Sequence, residues 1–213
     1  MNNPLIKLFV VVISYCVFTS TGFAGSPYVS GQIGRFGSGD VDPDTTIDHG
    51  MAARIAAGYT WDTTKRIKLG LETGLTGFQT THVKTYFAND PINSFDVDLS
   101  RTNVDILGVF DLFVTKRFDL FAKLGWAYQT QKVSSRTSMV TDITPARDNG
   151  NGLKLALGLG YNITPQVNLN LEVSGQSGGD GPYLNDHVHG IGTTMLGLRY
   201  KFDAEKQPVQ TEA

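Results

Sequence analysis

Residues 152–175 read GLKLALGLGYNITPQVNLNLEVSG. Leu153, Leu155, Leu157, Leu159 and Tyr161, then Val167, Leu169, Leu171 and Val173, fall on every second position, with Lys154, Glu172, glycines and asparagines between them. Period-two alternation is the signature of β-strands with two unlike faces, and NITPQ supplies the turn between two of them. The pattern leaves one question open. In a soluble barrel the apolar face fills the interior, whereas in a membrane barrel it meets lipid and the polar face fills the lumen.

The bulk properties narrow the field. The chain has 213 residues, 40% of them hydrophobic and 18% charged, enough for one medium domain. A net charge of −2 and a pI near 6.0 give no basic footprint for nucleic acid. Glycine, at 24 residues, exceeds the usual share of about 7%. With few helix signals, this composition favours β-structure.

The first 24 residues read as a cleavable signal peptide. Lys7 precedes an apolar run from Leu8 to Phe18, and small residues Gly22 and Ala24 flank Phe23 before Gly25. The run is too short for a membrane-anchoring helix of about 20 residues. Cys16, the only cysteine, lies in this run behind a bulky Tyr15, which argues against lipidation; cleavage leaves a mature chain without disulfides. The expected organisation is a signal peptide over 1–24, a barrel over 25–202 and a short polar tail over 203–213.

The alternation recurs along the chain. In MAARIAAGYTWD, Met51, Ala53, Ile55, Ala57, Tyr59 and Trp61 oppose Ala52, Arg54, Ala56, Gly58, Thr60 and Asp62. In RIKLGLETGLTGF, Ile67, Leu69, Leu71 and Leu75 oppose Lys68, Gly70, Glu72, Gly74 and Thr76. NVDILGVFDLFV carries Asp105 and Asp111 on its polar side, blurred by Leu107, Val109 and Phe113. FDLFAKLGWAYQTQ carries Asp119 and Lys123 there, broken by Phe121. Arg199 and Lys201 alternate with Leu196, Leu198, Tyr200 and Phe202 near the end, and PYVSGQIGRFG gives the weakest strand. These segments make about eight strands of some ten residues, the length that crosses a bilayer at a tilt. Tight turns are expected near Thr63, Lys116 and Thr164. Long links are expected over Ser38–Gly50, Gln79–Thr102, Lys132–Gly150 and Gln176–Gly190. In an up-and-down order the short turns share one end and the long loops the other, as in outer-membrane barrels.

Three features turn the apolar face towards lipid. That face is clean in the opening stretch and in the second strand. Aromatics lie near strand ends: Tyr28, Tyr59, Trp61, Phe118, Tyr161, Tyr200 and Phe202 at the short-turn end, Trp126 and Tyr128 towards the other, as an interfacial girdle requires. The opposite face mixes small residues with both signs of charge. Arg54, Lys68, Glu72, Asp105, Asp111, Lys123, Lys154, Glu172 and Arg199 are therefore the candidate lumen network, a structural plug in a barrel just wide enough for side chains. A three-residue turn over Thr63, Thr64 and Lys65 sets Tyr59 opposite Leu69 and Ala56 opposite Glu72, with Arg54 diagonal to Glu72 and within bridging reach.

With PYVSGQIG, AAGYTWD, IKLGLETG, LFAKLGWAY, LKLALGLGYNIT, VNLNLEVS and the closing LGLRYKF in this order, the chain resembles the OmpA-type and opacity-protein-like family of eight-stranded outer-membrane barrels. The resemblance spans Pro27 to Phe202. It implies an all-β, antiparallel, up-and-down transmembrane barrel in the outer membrane of a Gram-negative bacterium, monomeric, with both termini periplasmic. It also implies envelope support, or adhesion and immune evasion through polar loops. The partners so implied are outer-membrane lipid, the barrel-assembly machinery reading Tyr200 and Phe202 as a final-strand signal, and host surface molecules at the loops. The tail DAEKQPVQTEA is too short for the peptidoglycan-binding domain of some relatives.

Catalytic and metal-binding readings are weaker. His49, His82, His187 and His189 all fall in expected long loops without a completing ligand set. DVDPDTTID and DNGNG lack EF-hand spacing. No spacing singles out a triad around His82. The expectation is no enzyme, no cofactor and no metal, with a narrow or gated pore, a lipid-modifying enzyme and a lipocalin-like carrier as the alternatives.

Overall fold

The computed structural model describes residues 25–38, 48–87, 90–135, 146–177 and 190–202. The expected signal peptide, the tail, His187 and His189 lie outside them. The described residues form nine β-segments: β1 (Gly25–Ser38), β2 (Asp48–Asp62), β3 (Ile67–Phe78), β4 (Thr81–Phe87), β5 (Asp90–Phe113), β6 (Phe118–Ser135), β7 (Ala146–Asn162), β8 (Val167–Gln176) and β9 (Ile191–Lys201).

All pairings are antiparallel; apart from β3, which pairs with β5, they join chain neighbours, and β1 pairs with β9 to close the cylinder. β3 and β4 both pair with β5 and form one wall strand with a break. From Gly77↔Thr102 to Thr81↔Leu99, four residues advance on that wall strand against three on β5, which is a bulge. The result is a closed eight-stranded up-and-down barrel.

The two faces are inverted relative to a soluble protein. Ile33 and Ile106 are each 65% exposed and Leu157 is 56% exposed, whereas Arg54 is 2% and Glu172 1% exposed. The leucines of residues 152–175 thus project outwards, and Lys154 and Glu172 point into the barrel. A continuous apolar exterior of this extent is a surface for lipid, not water.

Several expectations are corrected. The Gln79–Thr102 link is largely strand, and the Lys132–Gly150 link is strand over its described residues, 132–135 and 146–150, because β4–β5 and β6–β7 continue beyond the apolar belt. His82 therefore lies on β4, and His49 on β2. The β2–β3 hairpin pairs Tyr59 with Leu71 and Gly58 with Glu72, because residues 63–66 make a four-residue turn between Asp62 and Ile67. That two-residue slip preserves the side-chain parity of both strands. Tyr28 is not a girdle aromatic: it shares the inward parity of Ser30 and Gln32 and is 2% exposed.

The lumen as candidate functional site

Each wall strand delivers polar side chains inwards at alternate positions, and glycines opposite them make room. A Cβ at Gly74 would strike the Arg54 guanidinium, so the bare backbone of β3 lets that long side chain lie across it. A Cβ at Gly58 would likewise meet the Tyr28 ring.

The charges in the middle of the lumen form one alternating chain. Lys154 Nζ lies 2.7 Å from Asp105 Oδ2, and Arg54 Nη2 lies 2.7 Å from Asp105 Oδ1 and 2.9 Å from Glu72 Oε1. Lys123 Nζ lies 2.9 Å from Glu72 Oε1 and 2.7 Å from Glu172 Oε2. Three cations alternate with three anions, and each comes from a different strand (β7, β5, β2, β3, β6 and β8). Gln32 on β1 joins the Glu172 end to the middle. Its amide donates to Glu172 Oε2 at 3.2 Å and to Asn170 Oδ1 at 3.0 Å, and its oxygen accepts from Arg54 Nη1 at 3.4 Å.

The remaining strand, β9, contributes Arg199. Its Nη1 donates to Asp111 Oδ2 at 3.0 Å, and its guanidinium lies 4.8 Å from the centre of the Tyr28 ring. The Tyr28 hydroxyl donates to Glu72 Oε2 at 2.8 Å and links this pair to the main chain of charges. Every wall strand is thereby cross-braced through the interior. Pairing of opposite charges is what makes buried charges tolerable, since an unpaired buried ion is costly.

Lys68 stands apart: it bridges Asp62 at 2.7 Å at the short-turn rim and is partly exposed. The aromatics that blurred the polar faces also belong inside. Phe121 lies 5.1 Å from Lys123 Nζ and 5.3 Å from Arg199, and Phe113 lies 5.3 Å from Lys201 Nζ. These are cation–π distances, so the interruptions at Phe121 and Phe113 mark ring contacts with lumen cations rather than noise. At the opposite end, Phe36, Ala52, Ile191 and Met195 form a buried apolar cluster against Phe78, inside the barrel. Around the polar centre, Asn103 Nδ2 donates to the Gln176 oxygen, and Asn168 Nδ2 donates to Asp119 Oδ1 at 2.8 Å. Sequence reasoning missed Tyr28 and Gln32 as network members. Their inward parity in the weak first strand was the available signal.

Outside, the short-turn end carries paired rings: Tyr59–Trp61 at 5.2 Å, Phe118–Tyr161 at 5.0 Å and Tyr200–Phe202 at 5.2 Å. The first and last described strands meet there too, with Phe202 N donating to Pro27 O at 3.0 Å.

Comparison with known proteins agrees with this architecture. The attachment invasion locus protein Ail of Yersinia pestis, solved with the heparin analogue sucrose octasulfate, superposes with a TM-score of 0.55 at 16% identity, covering 84% of this chain and 100% of that one. Neisserial surface protein A matches with a TM-score of 0.57 at 17% identity, covering 84% and 99%. A major outer membrane protein of Thermus thermophilus gives 0.55 at 14% identity, covering 84% and 100%. At these identities the likeness is one of fold. No curated protein matches the sequence. The family model described as the outer membrane protein beta-barrel domain matches residues 8–202, and the chain belongs to that family of outer-membrane barrels.

Proposed function

We propose that this protein is a non-catalytic, monomeric surface barrel whose lumen is plugged and whose work is done by what it displays. The observation that carries this reading is the unbroken chain Lys154–Asp105–Arg54–Glu72–Lys123–Glu172 across the lumen. Such a plug braces the wall and fills the lumen with side chains, which fits a scaffold better than a porin. The three short turns and both ends of the barrel face the periplasm in this reading. The extended β4–β7 ends then stand outside the cell. Tyr200 and Phe202 on and after β9 serve the barrel-assembly machinery as the final-strand signal. The residues before Gly25 are a signal peptide removed on export.

Adhesion is the display function favoured here. Its supports are the strand extensions beyond the apolar belt and the likeness in fold to the attachment invasion locus protein. The test is deletion of residues 79–102 followed by a host-cell binding assay. Binding should fall while the protein still fractionates with the outer membrane and keeps its heat-dependent gel shift. Undiminished binding by the deleted protein would refute a role for this extension in adhesion.

A further inference from the structure

The three turns at the short-turn end are built alike. Residues 63–66 read TTKR, 114–117 read VTKR and 163–166 read ITPQ. In each, the threonine hydroxyl accepts the N–H of the first residue of the next strand: Thr64 from Ile67, Thr115 from Phe118 and Thr164 from Val167, all at 3.0 Å. In each, the carbonyl of that residue accepts the N–H of the first turn residue: Thr63 to Ile67 at 3.2 Å, Val114 to Phe118 at 3.0 Å and Ile163 to Val167 at 2.9 Å. Threonine therefore sets the turn. The third turn makes the same bonds with Pro165 and Gln166, so the Lys-Arg pairs of the other two are not required by the backbone.

Those pairs are concentrated on one arc. Phe113 N donates to Arg66 O at 2.8 Å, which ties the first turn to the second. Lys65, Arg66, Lys116 and Arg117 are all exposed, and among the described residues none of them forms an ion pair. Asp62, the acid beside the first turn, is already bound to Lys68. Val114, Phe118 and Ile163 project outwards from the same rim, each 55% exposed, with the Phe118 ring tilted against that of Tyr161. An apolar and aromatic belt marks the hydrocarbon boundary, so cations just beyond it stand at headgroup depth. Four uncompensated cations there suit a phosphate. The arginines can fork onto its oxygens and the lysines add point charge.

We infer that this arc is a binding site for anionic phospholipid headgroups in the periplasmic leaflet. The inference rests on the orientation proposed above. The probe is a vesicle of phosphatidylethanolamine and phosphatidylglycerol holding the full barrel, with retained lipids counted by native mass spectrometry. The native protein should retain phosphatidylglycerol in preference. The variant Lys65→Pro/Arg66→Gln/Lys116→Pro/Arg117→Gln copies the third turn and should lose that preference on the order of tenfold with its heat-dependent gel shift intact. A second variant with glutamine at all four positions keeps every backbone N–H and should behave alike. Equal preference in the native protein and the folded variants overturns the proposal. So does a native protein without preference that instead binds isolated peptidoglycan through the same four residues. Orientation is read separately with Thr63→Cys and an impermeant maleimide. Labelling in intact cells would overturn the orientation and the leaflet with it. Protection there, combined with no lipid preference, would overturn the lipid site alone.

Discussion

At the scale of the residue, Glu72 is the hinge of the interior. It forms an ion pair with Arg54 and accepts from Lys123 and Tyr28, which come from three other strands. Glu72→Ala should lower stability by about 3 kcal/mol, the usual cost of leaving buried cations short of a partner. Denaturant-induced unfolding in detergent or vesicles reads this directly, and an unchanged midpoint would remove Glu72 from any bracing role. Arg199 and Asp111 allow a cleaner test. Arg199→Met or Asp111→Leu alone should each cost about 3–5 kcal/mol, while the double variant should recover much of the loss, because an apolar pair needs no compensation. Additive losses would mean that the pair is not coupled. Such contacts were only partly legible in the sequence. The inward parity of Arg54, Glu72, Asp105, Lys123, Lys154 and Glu172 follows from alternation. Which cation meets which anion depends on the stagger of strands far apart in the chain.

Strand-level behaviour is governed by what the wall tolerates on each face. A Cβ at Gly125 on β6 would run into the β5 backbone at Ile106 and Leu107, whereas a Cβ at Gly77 on β3 would meet nothing within 4 Å. Gly125→Ala should therefore cost about 1–3 kcal/mol by forcing the strands apart. Gly77→Ala should be neutral or slightly stabilising, since it only restricts the unfolded chain. Parallel urea titrations of the two variants decide this, and equal effects would contradict the packing described. The same contrast explains which strands the sequence announced. Inside the bilayer one face must be apolar, so β2, β3, β8 and β9 alternate cleanly. In β4 and the outer parts of β5 and β6 neither face needs to be apolar, so the period fades although the hydrogen-bonded ladder continues.

For the whole molecule, inversion and closure make two further demands. Lipid-facing positions exclude charge: Leu155→Arg should cost about 2–4 kcal/mol if the site lies near the bilayer centre. This can be measured by refolding into vesicles, and a cost near zero would question the lipid-facing assignment of β7. The plugged lumen should give little or no conductance in planar bilayers. A double variant Glu72→Ala/Lys123→Ala, which cuts the ion-pair chain in its middle, should raise the frequency of channel openings. Steady conductance by the native protein would favour the pore reading instead.

The sequence by itself determined the strand count, the parity of each strand and the end at which the short turns gather. These are local properties, fixed by period-two alternation and turn chemistry within some ten residues. It also ranked the two solvents for the leucines of residues 152–175, through charges and glycines that make sense only in a confined interior. The tertiary structure alone decided the hairpin register at residues 63–66, the extension of β4–β7 and the pairing within the charge chain. The pairing within the charge chain depends on barrel closure, which sets the stagger of all eight wall strands together and so cannot be read from any one of them.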